Sequence, residues 1–210
     1  MTLPDWSQLH EQKPAPEPLL LVQLFVNTRD FDQGTDLLAE ATTASQWLHQ
    51  AGLLAPDAAA GAEDLRAARA ARECIRSLIA RNGGGPALAD DDLRPLRAVT
   101  RASQLRLAID PAGQVVLDSG DRGRLTDGLL SLLLIIRDAQ RDGTWSRLKV
   151  CGNPDCRWVF YDRSHSRRGA WCDMASCGNL IKNRNLRARR GGQTRPAGGA
   201  ARAARQPATS

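Results

Sequence analysis

The chain has no run of 18 or more apolar residues, which excludes a candidate membrane-spanning helix. Its opening, Met1 followed by a polar stretch broken by proline up to Pro18, lacks the charged start and apolar core of a secretion signal, so the expected location is the cytoplasm. Histidine is scarce. His10 lies in the opening stretch and His49 near a helix end, neither with companion ligands. Residues 19 to 142 hold no Ser/His/Asp set, no clustered carboxylates beside a plausible base and no Gly-rich phosphate loop after a strand. Gly83-Gly84-Gly85 follows a helix and precedes Pro86, which makes it a linker. These absences predict a protein that is not an enzyme.

What is present bounds the architecture. With 210 residues and 42% hydrophobic content, the chain can fold one ordinary domain plus a small appended module. The net charge of +6 conceals a split, because residues 147 to 210 carry 14 Lys and Arg against 3 Asp and Glu, whereas residues 1 to 146 are net acidic. Four thiolates on a zinc ion would lower the balance of the basic end by about 2 without reversing it. Such a block attracts polyanions, and nucleic acid is the usual one in a cytoplasm.

Residues 1 to 18 contain four prolines and little apolar pattern, and are expected to be a flexible arm. Leu19 to Phe25 is apolar enough for a short buried strand or for the first turn of a helix, and periodicity does not separate the two. Asp36 is a candidate cap for an amphipathic helix ending near Gly52, with Leu37, Leu38, Ala41, Ala44, Trp47 and Leu48 on its stripe. A second helix is expected from Asp57 or Gly61 to Arg81, and a third from Ala89 to Ala102. The runs from Gln104 and from Gln114 flank Asp110-Pro111-Ala112-Gly113 and predict a β-hairpin. The leucine-rich stretch from Asp121 to Arg141 predicts a largely buried helix at the core of this α+β, mainly helical domain, residues 19 to 142. After Arg190 the composition turns to Gly, Ala, Pro and scattered Arg, and a disordered basic tail is expected over 191 to 210.

Four of the five cysteines form two close pairs, Cys151 with Cys156 and Cys172 with Cys177. Zinc takes four soft ligands at tetrahedral vertices, and two tight turns facing each other supply them. Two disulfides are the alternative, disfavoured in a reducing compartment. With four thiolates and no open position, the site is expected to be structural, and His165 in the intervening loop is not needed as a ligand. Trp158 to Tyr161 has strand character, Ser164 to Gly169 is a polar Arg-rich loop, and a basic helical segment follows Cys177. Together these features suggest a small treble-clef-like zinc module over residues 143 to 190. Cys74, alone on an apolar helical face, is expected in the core.

The segment Arg147 to Ser164, with Cys151-Gly-Asn-Pro-Asp-Cys156 inside it, and then Trp171-Cys-Asp-Met-Ala-Ser-Cys-Gly-Asn179, closely resembles the CGNR zinc-finger family. Phe25-Val-Asn-Thr28, the Asp36-Leu-Leu start and Trp47 to Leu54 resemble the ABATE domain that precedes this finger in that family. The resemblance implies one structural zinc ion and a bacterial, stress-linked transcription regulator whose positively charged finger contacts DNA at the nucleoid. One position departs from the signature: Leu180 stands where the family's motif has arginine.

The candidate phosphate-contacting cations are Arg163, Arg167 and Arg168 in the loop and Lys182, Arg184, Arg187, Arg189 and Arg190 after the last cysteine. Asn27, Thr28 and Arg29 interrupt an apolar run and are candidates either for a small-molecule pocket or for capping the next element. The expected arrangement is an N-terminal domain that senses an effector or forms a homodimer, joined to a DNA-binding finger. The competing arrangement is a zinc-stabilised protein-interaction module without sequence-specific DNA binding.

Overall fold

The computed structural model describes residues 11–103, 106–118 and 124–191. Residues 1–10 of the expected arm, the tail beyond Gly191 and the expected start of the last core helix at Asp121 lie outside these described residues.

The apolar run resolves as a helix, α1 (Leu19–Asn27), with all nine residues buried. A strand would present only two faces to its neighbours, whereas this segment meets neighbours all round, as a centrally placed helix does. It packs against α3 (Ala62–Arg81) and α5 (Leu125–Asp142), which carry the other large apolar faces of the core. Gly61 caps α3, and the Asp64 carboxylate accepts the Gly61 N–H at 3.0 Å. Gly143 ends α5 with φ of 80°, the left-handed conformation that favours glycine at a helix C-terminus. Cys74 is buried in this core, with its thiol 3.1 Å from the Asp92 carbonyl.

Between α1 and α3 the chain makes a two-residue hairpin, β1 (Arg29–Asp30) with β2 (Thr35–Asp36), and then α2 (Ala41–Gln50). Asp36 does not cap α2, which starts four residues later than expected, with Glu40 at the cap position. The Asp36 carboxylate instead accepts two bonds from Arg72 of α3, at 2.6 and 2.8 Å, and one from the Leu38 N–H at 2.9 Å. A bidentate arginine holds a carboxylate more strongly than a helix terminus does. Burial opposes ionisation of Asp36, but the bonds from Arg72 and Leu38 outweigh it and hold the carboxyl below its ordinary 3.8.

The third expected helix begins later too, as a short 3₁₀ turn over Asp91–Leu93 followed by α4 (Arg94–Ala102), with Pro95 in the first turn where no N–H partner is required. β3 (Arg106–Ile109) and β4 (Val115–Asp118) form the expected antiparallel hairpin, with Leu107 opposite Leu117 and Ala108 opposite Val116. At its turn the Asp110 carboxylate accepts the Ala112 and Gln114 N–H groups. Among the described residues, no helix is long and apolar enough to cross a membrane.

The C-terminal region adds β5 (Leu148–Val150), β6 (Val159–Tyr161) and α6 (Asn179–Gly191). Leu148, Val159 and Tyr161 belong to the same buried cluster as α1, α3 and α5, so the finger's hairpin and the first domain share one core. Residues 11–18 depart from the expected flexible arm. Glu11 and Ala15 are buried, and the Tyr161 N–H donates to the Lys13 carbonyl at 2.9 Å, so this segment covers the outer edge of β6.

Gly128 of α5 marks the tightest approach in the core: a Cβ there would stand 1.8 Å from the Leu53 carbonyl oxygen. Helix propensity would favour alanine at this position by about 1 kcal/mol, but a backbone clash of this depth outweighs it. Gly128→Ala is expected to destabilise the protein by about 3 kcal/mol. A urea unfolding midpoint equal to or above the parent's would refute that.

Candidate metal centre and its docking face

The first cysteine pair sits at the tip of the β5–β6 hairpin. Cys151 N–H donates to the Trp158 carbonyl at 2.8 Å, and the Cys156 and Arg157 N–H groups converge on the Asn153 carbonyl at 3.1 Å each. Arg157 closes this turn with φ of 53°, an unusual conformation for a residue with a side chain. Of the second pair, Cys172 precedes and Cys177 lies within a wide helical turn, Met174–Gly178, opened by Asp173, whose carboxylate accepts the Ala175 and Ser176 N–H groups. Gly178 follows the last cysteine, and a Cβ there would fall 2.5 Å from the Met174 sulfur, so that side chain would have to move. Asn179 donates to the Ala175 carbonyl at 3.1 Å and fastens the turn.

These turns bring the four sulfurs of Cys151, Cys156, Cys172 and Cys177 within 4.8 Å of one another. Two of the separations are 3.7 Å, between Cys156 and Cys172, and 3.8 Å, between Cys172 and Cys177. A tetrahedral ZnS₄ centre with bonds of about 2.3 Å has edges of about 3.8 Å, so the cage has the right size. The protonation chemistry agrees. Hydrogen bonds from the Cys156 and Cys172 thiols pull the Cys151 thiol down. Donating to Cys151 pushes the Cys156 thiol up, and the Cys172 thiol is raised by its bonds to Cys151 and Cys156. A bound divalent ion deprotonates the thiols that ligate it. Asn153, buried beside the cage, donates to the Cys177 sulfur at 3.5 Å. The four residues form one structural zinc site, closed to water as a ligand.

The Arg-rich loop is fastened by a buried ion pair. Lys149 Nζ stands 2.9 Å from the Asp162 carboxylate, which also accepts the Ser164 and Gly169 N–H groups at 3.0 and 2.8 Å. Burial would raise the Asp162 carboxyl, but bonds from Ser164 and Lys149 prevail and hold it well below the usual carboxylate range. Lys149 also donates to the Arg167 carbonyl, and Arg147 donates to the Asp162 and Ser164 carbonyls at 3.0 and 3.2 Å. Arg163, Arg167 and Arg168 are exposed on this loop, with Arg163 donating to the Pro14 carbonyl. Lys182, Arg184 and Arg187 are exposed on α6, which packs chiefly on the turn before it. Arg189 and Arg190 lie in the same helix, their side chains outside the described part. Leu180, at the signature's arginine position, is 52% exposed, so a side chain there meets solvent and does not brace the finger.

Residues 147–190 match the CGNR zinc-finger family, and residues 21–141 match the ABATE family, described as "Putative stress-induced transcription regulator". The chain belongs to the ABATE family. No curated protein matches the chain. The ABATE match ends at 141, in the last turn of α5, and the finger match begins at 147, yet the two regions share a core and a buried polar junction.

Asn27 forms the centre of that junction. Its side-chain amide accepts the Val159 N–H at 2.9 Å and donates to the Val159 carbonyl at 2.8 Å, as a neighbouring strand would. The same amide donates to Glu11 at 2.7 Å, and Glu11 also accepts from Gln23 at 2.6 Å and from the Trp158 indole at 3.2 Å. Arg76 of α3 adds a second tie, reaching the Val26 carbonyl at 2.7 Å and the Arg157 carbonyl at 2.9 Å. Thr28 donates to the Phe25 carbonyl at 2.8 Å and accepts from Arg72. Arg29 lies 3.8 Å from Asp36. Of these three candidates, Asn27 and Thr28 line a cleft beside the metal turns; Arg29 does not. Sequence reasoning missed Glu11, Gln23 and Arg76. A glutamine and an asparagine four residues apart on an otherwise apolar run were the available signal for the first two partners.

Burial pushes the Glu11 carboxyl up from 4.5 to about 7, against the opposing hydrogen bonds from Asn27, Trp158 and Gln23. A raised carboxyl binds its proton more tightly in the folded state, so this group's contribution to stability declines as pH rises from about 4.5 to about 7. Glu11→Gln cannot ionise and is expected to flatten the fall in the urea midpoint across that window. An unchanged slope in the variant would show that Glu11 does not titrate there.

Proposed function

We propose that the protein is a cytoplasmic, nucleoid-associated transcription regulator that binds DNA through its zinc-anchored cations and is not an enzyme. The observation that carries this reading is the display of those cations. Two segments tied to zinc ligands, the loop between Tyr161 and Cys172 and the helix after Cys177, expose arginines and a lysine. Among the described ones Arg184 alone has an acidic partner, Asp155 at 3.4 Å. Exposed guanidinium groups without an acidic partner, carried on an ordered frame, are a donor set for phosphate oxygens. The zinc ion supplies the folding energy of the two turns, and the Lys149–Asp162 pair fixes the loop. α6 gains little from tertiary packing, and a short helix in water is marginal alone, so contact with a duplex would also stabilise it. The ABATE region then serves as the sensing or dimerising part.

A second reading, a finger that docks on a protein, is favoured by the exposure of Met174 and Leu180 beside the last cysteine, 44% and 52%. Fluorescence anisotropy with duplex DNA at about 50 and about 200 mM salt separates the two. DNA binding predicts affinity that falls with salt, and Arg187→Ala is expected to weaken every duplex alike and reduce the salt slope by about 1. Absence of binding at the lower salt would refute DNA binding and favour a protein partner. Loss on one sequence alone would replace phosphate contact with base readout.

A further inference from the structure

A cleft of about 620 Å³ opens between the β1–β2 turn, the end of α1 and the metal-bearing turns. That volume falls within the range of small-molecule sites. Trp158 and Leu37 supply apolar and aromatic surface. The charged groups are unbalanced: Glu11, Asp30, Asp32 and Asp173 line the cleft against one cation, Lys13. Lys13 is already engaged, donating to the Trp171 carbonyl at 2.8 Å with its ammonium 5.0 Å from the Phe160 ring centre. Cys156, Cys172 and Cys177 reach the same space, and four thiolates around one divalent ion leave that wall with a charge of about −2.

Glu11 adds less to the imbalance than an ordinary carboxylate, because burial raises its carboxyl to about 7 and leaves it partly protonated at neutral pH. Its hydrogen-bond donors are neutral, from Asn27, Gln23 and Trp158, and among the described residues no cation lies within ion-pair distance of it. A chain of net charge +6 therefore contains, among its described residues, a recess lined by more carboxylates than its one cation, Lys13.

A bare metal ion does not match this recess. Among the described residues, the four cysteines are the group whose ligand atoms converge closely enough to hold one, and the cleft's carboxylates are spread apart. Carboxylates spaced along aliphatic and aromatic surface suit a ligand whose positive centres are separated by methylene groups. We infer that this cleft, lined by Asp30, Asp32, Leu37 and Trp158 beside the zinc centre, binds an aliphatic di- or polyamine. The ammonium groups pair with the carboxylates and the methylene chain covers the apolar wall. Because the walls come from both the ABATE region and the finger, a bound polyamine favours their docked arrangement. The site uses none of the cations assigned to DNA, so it stands or falls apart from that reading.

The test is calorimetric titration of the full zinc-loaded chain with spermidine, with butylamine and magnesium chloride as comparators, at about 150 mM salt. It is repeated on the Asp30→Asn/Asp32→Asn double variant and on Arg187→Ala. Asparagine at position 30 keeps the oxygen that accepts the Asp32 and Gln33 N–H groups, so the turn is retained. Saturable one-to-one binding of spermidine is expected, weaker for butylamine, undetected for magnesium, unchanged in Arg187→Ala and at least about tenfold weaker in the double variant. Absence of saturable binding, equal binding of magnesium, or parent affinity in the double variant would overturn the proposal.

Discussion

One side-chain amide, that of Asn27, pairs with both backbone groups of Val159, and the relation between the ABATE region and the finger depends on it. β6 is an edge strand, and an exposed edge pairs with whatever strand reaches it. Here Asn27 and the Lys13 carbonyl occupy that edge in turn, at Val159 and at Tyr161. A polar junction inside a core is favourable only when every partner is matched. Gln23 meets that demand from both ends, accepting the Ala15 N–H at 2.7 Å while donating to Glu11. Among the described residues, the Thr126 hydroxyl is the one buried side-chain polar atom without a partner, and it lies away from the junction.

From that junction outward, order passes to the metal. Arg76 holds the carbonyl of Arg157, the residue that closes the first cysteine turn in a left-handed conformation. The same turn presents Asn153 to the Cys177 sulfur, so the first domain, the hairpin tip and the second cysteine pair form a continuous chain of contacts. Zinc closes the chain with bonds that neither turn could replace alone. The Arg-rich loop hangs between the two ends of this frame and is pinned by Asp162. Its cations are therefore displayed on a rigid mount, which is the condition for a geometrically defined contact with a polyanion.

The cysteine spacing was legible because zinc chemistry admits few arrangements of two close pairs. The helices of the first domain and the β3–β4 hairpin were legible from local periodicity and turn residues, as Leu65, Ile75 and Gly113 illustrate. Features that depend on distant partners were not. Nothing near Asp36 in the chain announces Arg72, which takes its carboxylate away from the helix it was expected to cap. Nothing in residues 11–18 announces β6, so a segment rich in proline looked like a loose arm. Arg72 and Arg76 occupy buried positions on α3 that charge alone assigns to the surface, and their partners come from β2, α1 and the metal turn. Asn27 was visible as an anomaly in an apolar run, but its partner lies more than a hundred residues away.

Amide hydrogen exchange with and without a zinc chelator tests most directly whether the metal centre and the first domain form one structure. Removal of zinc should lower protection in the β5–β6 hairpin and, with it, in helix Leu19–Asn27, since Val159 would no longer be held in place against Asn27. Loss of protection confined to the finger, with α1 protected as before, would show an independent module and contradict the shared junction.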